Sequence, residues 1–167
     1  MSNRTDGVYD FDRAYRKAFW RRVVAWIMQK DNDLLPFDEV KSMVPMRGER
    51  YLGLREVPIC NIVGSMGRHQ EFDRAFLPTG TRTRDRWINI DLAYRDDVNL
   101  PAVDLYKIGD IYFVKDGNHR VSVARQRGQI YIDAYVTEIS VPVQLTPDLT
   151  LEDLEAKQTY AEFLEST

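Results

Sequence analysis

Cysteine, histidine, long apolar runs and an excess of one charge are all scarce in this chain, and each scarcity removes a class of protein. The single cysteine, Cys60, has no partner for an internal disulfide, which points to a reducing compartment and a cytoplasmic location. It lies in the apolar stretch Val57-Pro58-Ile59-Cys60-Asn61-Ile62-Val63 and reads as a buried structural thiol. One cysteine with only His69 and His119 cannot close a zinc site, so no resident metal is expected. No apolar run approaches the roughly 20 residues of a membrane helix, and Met1–Asp10 lacks the apolar segment of a secretory signal. No membrane partner is expected. The net charge of −3 argues against a generic nucleic-acid coat.

What remains is 167 residues, 44% hydrophobic and 29% charged, enough for one globular core. The charges are unevenly placed. Residues 11–30 carry six basic side chains and one acid; residues 148–167 carry six acids and one lysine. Two solvated helix faces, or faces that attract each other or a second copy, account for this.

Residues 1–9 read as loose, and Asp10 as the N-cap of a helix to about Gln29. Its apolar positions Phe11, Ala14, Tyr15, Ala18, Phe19, Val23, Trp26 and Ile27 recur at helical spacing, a stripe for packing on the fold or on another subunit. A short helix from Pro36 to Met43 and a linker from Met46 to Gly53 follow. Next come a strand at Arg55–Ile59, a glycine turn to Arg68, a long loop over 69–83 and a helix over Arg84–Asp97. Strands at Val103–Lys107 and Ile111–Lys115 flank the turn Gly109-Asp110. A helix to Arg127, a strand over Ile130–Glu138 and a last helix from Thr150 to about Leu164 complete the series. Thr150 with Asp153 resembles a capping box. The fold class is α/β (α+β): a small mixed sheet with flanking N- and C-terminal helices. Residues 1–53 form a helical extension, 54–140 the central domain, and 141–167 a C-terminal linker and helix.

The most informative stretch is Asp116-Gly117-Asn118-His119-Arg120, between an apolar strand and a helix. The first N–H groups of a helix lack internal partners and carry partial positive charge, and glycine lets the backbone approach an oxyanion closely. Cations in that first turn are unfavourable unless an anion joins them. Either His119 and Arg120 meet a bound phosphate, or Arg120 pairs with a carboxylate such as Asp116.

The order of features over about Glu56–Glu138 resembles the ParB/sulfiredoxin superfamily. A strand leads into the Gly67-Arg68 turn, a helix precedes the hairpin Leu100–Tyr106 into Tyr112-Phe113-Val114, and Asp116–Arg120 continues through Ala124 and Gly128 to Ile132–Val136. The resemblance implies an α/β domain that holds a nucleotide's phosphates. Gly67 and Arg68 match one phosphate turn; Gly117, Asn118, His119 and Arg120 match the other. The implied ligand is a nucleoside triphosphate, ATP or CTP, with Mg²⁺. Asn118 stands where sulfiredoxins carry their catalytic cysteine, which speaks against sulfinic-acid reduction. Only 29 residues follow Glu138, too few for the DNA-binding and dimerisation domains of partition proteins.

Phosphoryl transfer needs positioning and charge stabilisation, and a carboxylate to orient the attacking group or hold Mg²⁺. Glu71 is the first candidate, followed by Asp116, with Asp73 also close to the Arg68 turn; solvated loop charge, or an N-cap for Asp116, is the alternative for each. Ser122 either touches phosphate or points away, and His69 reads as a surface residue. The expected function is nucleotide binding with triphosphate hydrolysis or phosphate transfer. The alternatives are a nucleotide-sensing or DNA-associated regulatory protein, or a ParB-like nuclease. Further partners in view are DNA and a second copy through the first helix.

Overall fold

A computed structural model describes residues 3–156 and residue 158 of the protein. It contains α1 (Arg4–Met28), β1 (Leu35–Pro36), α2 (Phe37–Met43), β2 (Glu49–Pro58), β3 (Ile62–Ser65), α3 (Arg84–Arg95), β4 (Val103–Ile108), β5 (Ile111–Asp116), α4 (Asn118–Gln126) and β6 (Tyr131–Ile139). The strands form one mixed sheet in the order β1-β3-β5-β4-β6-β2. β1, β3 and β5 run parallel, whereas the β4–β5 and β2–β6 pairs are antiparallel. The expected α/β class, a mixed sheet with flanking helices, is what the chain adopts.

Successive side chains of a strand face opposite ways, and the sheet uses this to serve two cores. Ile62 and Val114 join Phe11, Phe76, Trp87, Ile88 and Val121 in one. Their neighbours Val63 and Phe113 join Leu35, Phe37, Val40, Leu145, Leu149 and Leu154 in the other. On β6, Ile132, Ala134 and Val136 are buried while Tyr131, Asp133 and Tyr135 face out.

Several boundaries differ from the sequence reading. α1 starts at Arg4, capped by the Asn3 side chain, which accepts from the Thr5 N–H at 3.2 Å. Residues 4–9 are helical because α3 offers them a surface. Gly7 lies so close to Ile88 that a Cβ would sit 2.7 Å from its Cγ2, and Arg4 pairs with Asp85 at 2.8 Å. Asp10 is therefore inside the helix. The apolar stripe divides: Phe11, Ala14 and Ala18 are buried, but no residue after Ala18 is, and Trp26 is 81% exposed. The linker expected over Met46–Gly53 already contains the start of β2, and the turn expected at Ile62–Ser65 is β3. Gly64 there lets Leu35 and Phe113 approach: a Cβ would lie 2.4 Å from Phe113 Cδ1.

The loop over 69–83 carries no regular element but is packed, with Phe72, Phe76 and Leu77 buried. The capping box at Thr150 forms both reciprocal bonds at 3.1 Å and opens a helical segment over 151–156. Its expected end near Leu164 lies outside the described residues. Among the described residues no helix is long and apolar enough to cross a membrane.

Cys60 is exposed, not buried. It falls in a 3₁₀ turn, Ile59–Asn61, where only Ile59 is buried. Cys60→Ser is expected to shift stability by no more than about 0.5 kcal/mol in a urea titration. A thiol reagent should label the folded parent as fast as a small exposed thiol; labelling only after denaturation would contradict this placement.

Candidate functional site

Parallel neighbours end at the same side of a sheet, and the crevice beyond those ends is where open α/β sheets bind ligands. β3 and β5 are such neighbours, with Ser65 opposite Val114. The turn after β3 carries Arg68, and the turn after β5 opens α4. Their meeting point is fixed by one bond: the Ser65 hydroxyl donates to Asn118 Oδ1 at 2.9 Å, and both side chains are buried. Ser65 also accepts from the Arg68 N–H at 3.4 Å. A cleft of about 290 Å³ lies between the turns. Arg68 and the whole Asp116–Arg120 turn line it, together with Arg86 and Ile90 from α3. Arg68 and Arg120, 52 residues apart, thus share one cavity.

Gly117 is the hinge of the site. It caps α4 at φ +112°, and a Cβ on it would lie 2.5 Å from Val103 Cγ1. No side chain caps α4, so its first N–H groups remain available at the cleft. His119 is 6% exposed, and its Nε2 is buried without a hydrogen-bond partner among the described residues. Its ring meets the Phe72 ring edge-on at 5.2 Å. Burial, reinforced by the charges of Arg86 and Arg68, pushes its pKa down to about 4. The cationic His119 expected from the sequence is therefore a neutral imidazole at pH 7. It offers a hydrogen bond, not a charge.

The other candidates are engaged with one another. Arg120 donates from Nη1 to the carbonyls of Pro101 and Ala102, at 2.7 and 2.9 Å, and pairs through Nη2 with Asp116 at 3.2 Å. Of the two expectations for it, the pairing with Asp116 is what the structure shows, and Arg120 also lines the cleft. Arg68 pairs with Glu71 at 2.9 Å. Gly67 precedes Arg68 but does not line the cleft, and a Cβ there would meet nothing within 4 Å. Asp73 is no solvated loop charge. It is 2% exposed, accepts from the Ala75 and Leu77 N–H groups and pairs with Arg21. Ser122 points into the core, accepting from Trp87 Nε1 at 2.9 Å and donating to the Phe76 carbonyl. His69, read as a surface residue, is half-buried, and its Nδ1 is buried with no partner among the described residues.

Glu71 and Asp116 also decide how the chain stands towards Mg²⁺. Each is tied to an arginine, and among the described residues no group of three acidic, His or Cys side chains converges as a metal site. The described residues thus offer no ready Mg²⁺ cage.

Arg86 and Ile90 escaped the sequence reading. Arg86 is one of three arginines in the run 82–86, with nothing to set it apart. A usable signal was its four-residue spacing from Ile90, which places both on one helix face.

A second cluster lies away from this cleft. Asp10 of α1 and Asp91 of α3 share Arg95 and Arg127 beside a cavity of about 310 Å³. Asp91 is 1% exposed.

No family model matches the chain, and no curated protein matches it. Among solved structures, the crystal structure of sulfiredoxin from Arabidopsis thaliana is similar over 52% of this chain and 86% of its own, at 14% identity and a TM-score of 0.40.

Proposed function

We propose that the cleft binds a nucleoside phosphate, and that the protein hydrolyses a nucleoside triphosphate or transfers its phosphate. One observation carries the reading. The uncapped N-terminus of α4 opens on a cleft rimmed by three arginines, and the buried Nε2 of His119 in that turn has no partner among the described residues. Helix N–H donors and arginines are the donors that phosphate uses, and a buried imidazole nitrogen calls for one more hydrogen bond. The sequence resemblance to the ParB/sulfiredoxin superfamily, strongest over Asp116–Arg120, supports the same ligand class.

Glu71 is the base in this reading. A phosphate oxygen that takes its place on Arg68 releases the carboxylate beside the bound ligand. Glu71 then accepts the proton of a water or hydroxyl attacking the terminal phosphorus, as the bond to the leaving diphosphate breaks. A sensor without turnover is the second reading. It is favoured by the ion pairs that hold both Glu71 and Asp116.

Calorimetry with ATP, GTP, CTP and UTP, each with Mg²⁺, tests binding; phosphate release tests turnover. Heat with at least one of them is expected, and Glu71→Gln should cut release about 10²-fold or more while binding persists. Absence of heat and of thermal shift with all four at millimolar concentration overturns the proposal. Binding with no phosphate release, indifferent to Glu71→Gln, selects the sensor.

A further inference from the structure

Three guanidinium groups rim the cleft, and they are not equivalent. Arg120 is 14% exposed and holds two backbone carbonyls and a carboxylate. Arg68 is in an ion pair with Glu71. Arg86 is exposed and makes no hydrogen bond or ion pair with any described residue. Its neighbours in the first turn of α3 do: Arg84 with Asp12 and Asp85 with Arg4. A cation in the first turn of a helix is disfavoured by the dipole, and among the described residues no carboxylate pairs with Arg86 to offset this. Yet its charge lies near enough to the His119 ring to depress the ring's pKa.

The geometry points to Arg86 as the ligand-binding cation of the cleft, acting with the α4 N–H groups and His119 Nε2, and to Arg120 as a structural clamp on the backbone at 101–102. This rests on the phosphate-binding reading above and assigns its charge to a residue outside the two glycine turns. It also defines the group recognised. Arg68 with Glu71 and Arg120 with Asp116 cancel pairwise, and His119 is neutral, so Arg86 supplies the cleft's uncompensated positive charge. One terminal phosphoryl group suits that balance. A longer polyphosphate needs either the Arg68–Glu71 pair to open or a divalent cation to come with it.

The test measures binding of ATP–Mg²⁺ and of inorganic pyrophosphate alongside melting temperature, for the parent, Arg86→Ala, Arg86→Lys and Arg120→Ala. Arg86→Ala should weaken binding by about tenfold to a hundredfold, the usual effect of one charge-assisted hydrogen bond, with an unchanged melting temperature. Arg86→Lys should recover part of the affinity as a point charge without the fork. Arg120→Ala should melt several degrees lower. A parent that binds and an Arg86→Ala variant that binds as tightly overturn the assignment and leave the phosphate reading standing. A parent that binds neither probe overturns both. If Arg86→Ala and Arg86→Lys both melt well below the parent, Arg86 is structural and the assignment fails.

Discussion

Gly117→Ala is expected to destabilise the protein by about 2–6 kcal/mol and, on the phosphate-binding proposal, to abolish nucleotide binding at the cleft. Two costs combine. A non-glycine residue at φ +112° stores about 1–3 kcal/mol of backbone strain. The new methyl group would also lie 2.5 Å from Val103 Cγ1 and 2.9 Å from its Cβ, an overpacking that adds about 1–3 kcal/mol. Relief requires α4 to move away from β4, which carries Arg120 off the Pro101 and Ala102 carbonyls. Gly128→Ala is the control. Its φ is +78°, but a Cβ there meets nothing within 4 Å, so only the backbone cost of about 1–2 kcal/mol applies. Urea titrations of both variants check this; equal midpoints would show that contact with Val103 plays no part.

Asp91→Asn is expected to gain on the parent as pH rises, by up to about 4 kcal/mol between pH 4 and pH 8. Burial and the neighbouring Asp10 push the Asp91 carboxyl up to about 7. Burial acts upward on Asp10 too, but its hydrogen bonds with Asp91 and Arg95 outweigh this and hold it below the usual carboxylate range. The pair thus keeps one proton to near neutrality. Over pH 4–7 the unfolded chain has released the Asp91 proton while the folded protein retains it, so this carboxyl's contribution to stability falls as pH rises. A shift of about three units corresponds to a ceiling of about 4 kcal/mol. Asp10 has the opposite sign: its contribution is present above the unfolded pKa and is lost as pH falls through its lower folded value. His119 also opposes Asp91. Its folded pKa of about 4 makes the protein more stable as pH rises from 4 to about 6.5. The diagnostic quantity is therefore the difference between variant and parent in urea titrations at pH 4.5, 6 and 8. Parallel curves would refute the shared proton.

The features legible in the sequence were those that local chemistry writes out. An apolar strand, a glycine and a helical run announce β5, the Gly117 turn and α4, because each rests on neighbours in the chain. β3 was misread because Gly64 resembles a turn residue. Its purpose is the close approach of Phe113, 49 positions away, which no local pattern records. Asp10 looked like a cap because aspartate before an apolar helix usually is one. Its partner Arg95 lies 85 residues further on. The exposed end of α1 was hidden by its own regularity: helical spacing reports a face but not how far the neighbouring surface extends. At the candidate site, the positions in the two glycine turns could be read, but the state of their side chains could not. That Arg120 is engaged by carbonyls, that His119 is neutral and that Arg86 has no hydrogen-bond or ion-pair partner among the described residues are facts of three-dimensional neighbourhood.

The bond between Ser65 and Asn118 bears on how a ligand is received. It joins the ends of two strands through side chains 53 residues apart, at 2.9 Å and shielded from water. The two walls of the cleft are thereby held at a set span before anything enters. Ordering a mobile site on binding costs entropy that subtracts from affinity. Here folding has already met that cost on the β3–α4 side. On the phosphate-binding proposal, discrimination between ligands would come from how well their length fits a fixed gauge, and Ser65→Ala is expected to trade selectivity for tolerance.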